Sequence, residues 1–206
     1  VGRLATKQIE ITAGESVHAT ALVAATLLAA NLRERELEIA LLSQASHFVR
    51  GDLAHPDVLQ SIELRKKLRS EFAWMGVADT QGTVIQASSG MLQGMSVSKR
   101  PWFIAGMKGV YTGDVHEAVL LSKLLPGLAS GEPLRFIDFA APIKNKDGQI
   151  IGVLGAHGHW RWVTETVQGA VDRLGSEVRS DILIVGKDGS VLYPLRLIGA
   201  TQLPSG

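Results

Sequence analysis

Apolar residues recur at helical spacing through Leu28, Leu32, Ile39, Leu42, Ala45 and Val49, while Arg33, Glu34, Glu36 and Glu38 solvate other faces. No proline and only Gly14 interrupt Thr12 to Arg50, so the pattern predicts one long helix there. Pro56 opens a second helix with Val58, Leu59, Ile62 and Leu68 on its apolar face. The period then changes. Phe72 to Ala78 and Thr83 to Ala87 read as strands around the turn Asp79-Thr80-Gln81-Gly82. A short helix is predicted from Pro101 to Gly109, then strands near Gly113 to Leu120, Leu134 to Ile143 and Gln149 to His157. The Asp147-Gly148 pair closes the last two into a hairpin. Trp160 to Leu174 returns to helix, and Asp181 to Val185 and Ser190 to Tyr193 flank a turn at Lys187-Asp188-Gly189.

Met75, Val77, Gly82 and Val84 recur as Ile182, Ile184, Gly189 and Val191 at one offset of 107. This predicts an α/β (α+β) chain in four parts: a long N-terminal helix (1–55), a complete antiparallel-sheet module (56–160), a connecting helix (161–180) and the start of a second module (181–206).

Composition narrows the function. With 46% hydrophobic residues the 206-residue chain can bury a core, and a formal charge of +1 offers no field for nucleic acid. The absence of cysteine excludes disulfides and thiolate metal sites. Val17 to Leu32, interrupted by His18 and Asn31, falls short of the roughly 20 apolar residues a bilayer needs. It reads as a helix that is buried or self-associating, and its alanines suit either packing within the chain or a homodimer.

The candidate chemistry lies between Arg100 and His159. Arg100 can grip an oxyanion through two parallel hydrogen bonds, or form a surface ion pair. Of Trp102 and Phe103, one is expected to wall a pocket and one to fill core. His116 and Glu117 alternate on a strand, so only His116 is expected to face the ligand. Asp114 caps a turn or touches ligand, and Asp138, inside an apolar strand, needs a partner such as Arg135, Arg100, a backbone donor or the ligand. His157 and His159 share a face if the strand continues past Gly158. With His116 or Glu117 they would make a zinc site and a metal-dependent hydrolase, the alternative reading. No catalytic motif or cofactor fingerprint is present, and Ser88-Ser89-Gly90 reads as a loop.

Together, Arg100-Pro101-Trp102-Phe103, Gly113 to Ala118, Pro133 to Pro142 and Gly152 to His157 resemble the PAS-like double Cache sensor domains attached to bacterial diguanylate cyclases and histidine kinases. The resemblance implies a small-molecule sensor rather than an enzyme. It also implies a place on the periplasmic face of the inner membrane, in a membrane-anchored parent, and the N-terminal helix is expected to make that parent a homodimer. In amino-acid-binding members an Arg-x-Trp-aromatic motif holds the ligand carboxylate, which points to Arg100, Trp102 and Phe103. Met95 stands where those members carry tyrosine, and His157 where they carry an aspartate. The implied ligand set is Arg100, Trp102, Phe103, Asp114, His116, Asp138 and His157, without cofactor or metal.

Overall fold

A computed structural model describes residues 2–117, 125, 134–173 and 182–194. Three helices, α1 (Gly2–Leu42), α2 (Ser46–Val49) and α3 (Pro56–Leu68), precede the strands β1 (Phe72–Asp79) and β2 (Val84–Ala87). Helix α4 (Pro101–Gly106) leads to β3 (Tyr111–Thr112), β4 (His116–Glu117), β5 (Arg135–Lys144) and β6 (Ile150–His159). Helix α5 (Trp160–Arg173) and a hairpin of β7 (Ile184–Val185) and β8 (Val191–Tyr193) follow. The first six strands form one antiparallel sheet in the order β2-β1-β6-β5-β3, with β4 also pairing β5.

Residues Leu32–Trp162 form one compact unit, and Val1–Asn31 with Val163–Gly206 another. In the Leu32–Trp162 unit the sheet has apolar side chains on both faces because β1, β5 and β6 are buried along nearly their whole length. Ile137, Phe139, Ala141 and Ile143 of β5 join Leu154 and Ala156 of β6 in a cluster with Ile39, Leu42, Phe48, Val58 and Ile62 of the helices. The alternate positions Phe136 and Ala140, with Val153, meet Trp74, Trp102 and Phe103 on the opposite face.

The first helix differs from the 12–50 expectation at both ends: it begins at Gly2, and it stops at Leu42. At the stop, hydrogen bonding tightens to i→i−3, from Gln44 to Leu41 and from Ala45 to Leu42, and Ala45 turns extended. The break folds Phe48 into the core, where it is wholly buried beside Ile39 and Leu42. Burying that ring is worth about 1.5–3 kcal/mol, and the backbone at the break stays hydrogen-bonded from Ser43 to Ala45.

In the other unit, α1 exposes Leu4, Ile11, Val17, Leu22 and Val23, so the expectation of a buried helix does not hold there. Thr6–Leu42 is also long and apolar enough, by length and composition, to cross a membrane, contrary to the shorter span read from the sequence. Its polar groups bond back to its own backbone: Thr20 donates to the Ser16 carbonyl and Asn31 to that of Leu27, at 3.0 and 2.8 Å.

The offset of 107 persists in the backbone. Asp79 N–H donates to Thr83 O and Gly82 N–H to Asp79 O; Gly186 N–H donates to Ser190 O and Gly189 N–H to Gly186 O. The β5–β6 turn repeats the pair with Asn145, Gly148 and Gln149, and Gly82, Gly148 and Gly189 all have φ near 80°. Each is a tight hairpin that needs left-handed backbone at its last turn residue. Because the third copy lies within the first sheet, the turn by itself does not mark a second module. Asp181 and the ends of the connecting helix and the C-terminal segment lie outside the described residues.

Candidate functional site

Register assembles the site. Asp138 of β5 stands directly opposite His157 of β6, which stands opposite Trp74 of β1, so the three side chains lie in a row on the α4 face. The Asp138 carboxylate is hydrogen-bonded to His157 Nδ1, and both residues are nearly buried. His116 Nε2 lies 3.5 Å from the other carboxylate oxygen, and its Nδ1 is 3.1 Å from the Asp114 backbone oxygen. The hydrogen-bond partner that Asp138 requires is therefore the His157 imidazole, not Arg135 or Arg100. Arg135 instead approaches Glu117 at 3.9 Å.

The His157 ring is enclosed by aromatic side chains. Its centroid is 4.9 Å from Trp74, 6.0 Å from Trp102 and 6.4 Å from Phe136. Trp74, wholly buried, anchors this cluster by donating its indole N–H to the Met91 carbonyl at 2.9 Å. Helix α4 lays Trp102 on the sheet because position 155 is glycine: a Cβ there would stand 2.6 Å from the indole. Gly106 brings α4 down onto Val153 and Ala140 in the same way.

These groups border a cavity of about 260 Å³, sized for a small solute. Six of the sequence-derived residues line it: Arg100, Trp102, Asp114, His116, Asp138 and His157. Phe103 does not; it is buried in the core and meets Trp102 edge to face. Glu117 lines the cavity together with His116, so alternation did not separate them: β4 is only two residues long and the chain around it is not regular strand. The strand expected over Gly113 to Leu120 is two short pieces, β3 and β4, and its later residues lie outside the described ones.

Sequence reading did not single out Tyr111 and Leu92, which also line the cavity, or give Met95 a place in its wall. Tyr111 reaches it through β3, paired with Ala140, and Gly113 leaves its ring room, since a Cβ at 113 would press on it at 3.2 Å. Burial pushes the Tyr111 hydroxyl pKa up, and the Asp138 and Asp114 charges add to that. Leu92 enters from a loop with φ +66°, which sequence alone gives no reason to expect. That loop is held from α3, where Glu63 accepts the Ser89 backbone N–H at 2.5 Å.

β6 runs through Gly158 to His159, but His159 is outside the cavity, its ring 5.3 Å from Phe136. No cluster of three metal-ligating side chains exists among the described residues, so the His116, His157 and His159 zinc arrangement is not assembled. His159 instead bears on stability. Burial lowers its pKa from the ordinary 6.5, aided by Lys66 and Arg161. A depressed histidine favours the neutral ring in the fold, so its contribution is present above about pH 6.5 and is lost as pH falls through the lowered value. The urea midpoint is expected to fall from about pH 7 to pH 5, and less steeply in His159→Gln; identical slopes in the two proteins would contradict this.

No protein-family model matches the sequence, and no curated protein matches it. Solved structures do. The sensory domain of the Campylobacter jejuni chemoreceptor Tlp3, with isoleucine bound, superposes with a TM-score of 0.66 at 12% identity, over 91% of this chain and 72% of that one. The ligand-binding domain of the Pseudomonas fluorescens chemoreceptor CtaA in complex with L-leucine gives 0.64 at 19% identity, over 93% and 75%. The sensor domain of the Vibrio cholerae histidine kinase DctB gives 0.61 at 15%, over 89% and 67%. At these identities the likeness establishes architecture: the chain has the PAS-like fold of Cache-type sensor and ligand-binding domains.

Proposed function

We propose that this chain is the extracytoplasmic ligand-binding region of a membrane-anchored bacterial signalling receptor, and that a small solute in the Trp102 cavity is its input. The observation that carries this reading is the convergence of Arg100, Trp102, His116, Asp138 and His157 on one cavity from four separate elements. Arg100 caps the start of α4 with its backbone, and its guanidinium has no hydrogen bond or ion pair among the described residues. An unpaired guanidinium beside an indole wall suits an oxyanion. Chemoreceptor and histidine kinase domains sharing the fold support a sensing role, two of them with an amino acid bound.

The exposed apolar side chains of α1 support anchorage and pairing with a second copy through this helix. Output then belongs to a kinase or diguanylate cyclase region elsewhere in the parent. Ligand moves the terminal helices only to the extent that it binds two conformations unequally.

Mass spectrometry of the small molecules released from purified protein tests the reading directly. Arg100→Ala is expected to lose that molecule while unfolding at the same urea concentration as wild type. Equal retention by the variant, measured by calorimetry with the identified molecule, would remove Arg100 from the site.

A further inference from the structure

We infer that strand β3 is a lever between the cavity and the first helix: Tyr111 meets the solute on one face of the sheet, and Thr112, hydrogen-bonded to Glu36 on the other, passes the displacement to α1. The inference deepens the ligand-binding reading and rests on it for the input.

Alternation fixes the geometry. Tyr111 pairs with Ala140 and Thr112 with Phe139. Ala140 and Tyr111 belong to the apolar cluster on the α4 side, whereas Phe139 packs with Ile39 and Leu42 of α1. Successive residues of a strand point to opposite faces, so a two-residue strand sends one side chain to each. Tyr111 accordingly lines the cavity. The Thr112 hydroxyl donates to Glu36 Oε2 at 3.0 Å, across 76 positions of sequence. Arg33 closes on the other carboxylate oxygen, and the Glu36 side chain is only 23% exposed. A hydrogen bond to a carboxylate is stronger than one between neutral groups.

The two ends of this link differ in how firmly they are held. β3 lies at the edge of the sheet and is held to β5 through Tyr111, Thr112 and the Gly113 N–H, which donates to Asp138 O at 2.7 Å. Short edge segments open at lower free energy than central strands. On α1, Ile39 and Leu42 are buried against the β5 side chains, and Arg35 ties the same helical turn to Glu71 at 2.8 Å, just ahead of β1. A shift of β3 therefore acts on a turn that is anchored on its other side. It acts only to the extent that the solute binds the two positions of β3 unequally.

Coupling between two sites is reciprocal, so it can be tested from either end without the solute. Gly113→Ala is the push from the cavity, because a Cβ there stands 3.2 Å from the Tyr111 ring and hydroxyl. Amide hydrogen exchange of residues 33–42 in the whole chain is expected to change by about threefold or more, within the range for coupling between packed sites. The change should vanish when Gly113→Ala is combined with Thr112→Val, which deletes the hydroxyl at nearly constant shape, and return with Thr112→Ser. From the helix side, Glu36→Ala should move the Tyr111 fluorine resonance of protein labelled with 3-fluorotyrosine. The sequence has two tyrosines, and Tyr111→Phe assigns the signal. Exchange that ignores Gly113→Ala, or responds equally with and without the Thr112 hydroxyl, overturns the lever, as does a Tyr111 resonance that ignores Glu36→Ala. Such failures leave the sensor reading to the released molecule and Arg100→Ala.

Discussion

Arg35→Ala is expected to destabilise the chain by about 3–5 kcal/mol, the range for removing one partner from a buried ionic cluster. The Arg35 side chain is only 6% exposed and pairs with Glu71 at 2.8 Å and Glu38 at 3.2 Å, themselves 13% and 8% exposed. Arg65 and Arg69 of the α3 end close on Glu38 at 3.0 and 3.3 Å. The guanidinium also lies 5.4 Å from the Trp162 ring, so one side chain joins α1, the entry to β1 and the start of α5. Deleting it strands the Glu71 carboxylate in a low-dielectric place and leaves Glu38 to Arg65 and Arg69, and the stranded charge costs more than the loss of the attraction itself. Urea unfolding measures the effect, and Arg35→Ala combined with Glu71→Gln should recover part of it. A loss below about 1 kcal/mol would place Arg35 among ordinary surface pairs. Arg35→Lys is not a conservative exchange, because an ammonium offers neither the planar fork nor the flat face over the indole.

Trp74→Ala is expected to cost a similar 3–5 kcal/mol, the range for truncating a buried large aromatic side chain. The indole is wholly buried, its ring 5.9 Å from that of Trp102 and 4.9 Å from that of His157, tilted 34° to it. Gly76 leaves the room it fills, since a Cβ there would stand 2.3 Å from the ring. Truncation opens a void under the cavity floor and orphans the Met91 carbonyl, so stability and ligand retention should fall together. Trp74→Phe keeps most of the packing but not the N–H, and should lie between alanine and wild type. An alanine variant with wild-type stability and retention would show that the aromatic row does not support the site.

Chain segments whose structure depends on near neighbours were legible without coordinates. The Asp-Gly and Gln-Gly turns, the helix opened by Pro56 and that opened by Pro101, and the long runs of β1, β5 and β6 follow from turn chemistry, proline geometry and largely apolar runs bounded by turn residues. Cavity-lining residues on those regular elements were legible too: Arg100 and Trp102 at a helix start, and Asp138 and His157 as polar intrusions in apolar strands. What misled the reading was irregular backbone. His116 and Glu117 both reach the cavity because β4 is too short to enforce alternation, and Leu92 arrives on a left-handed loop residue.

The sequence by itself determined the regular strands and proline-opened helices, their order and the polar residue types placed on them, because these rest on forces acting over a few residues. Only the tertiary structure decided that Asp138 meets His157 across 19 positions, that Arg35 meets Glu71, and that the first helix breaks so that Phe48 can be buried. Those outcomes depend on strand register and on competition for buried volume and charge partners between distant segments, which no local pattern encodes.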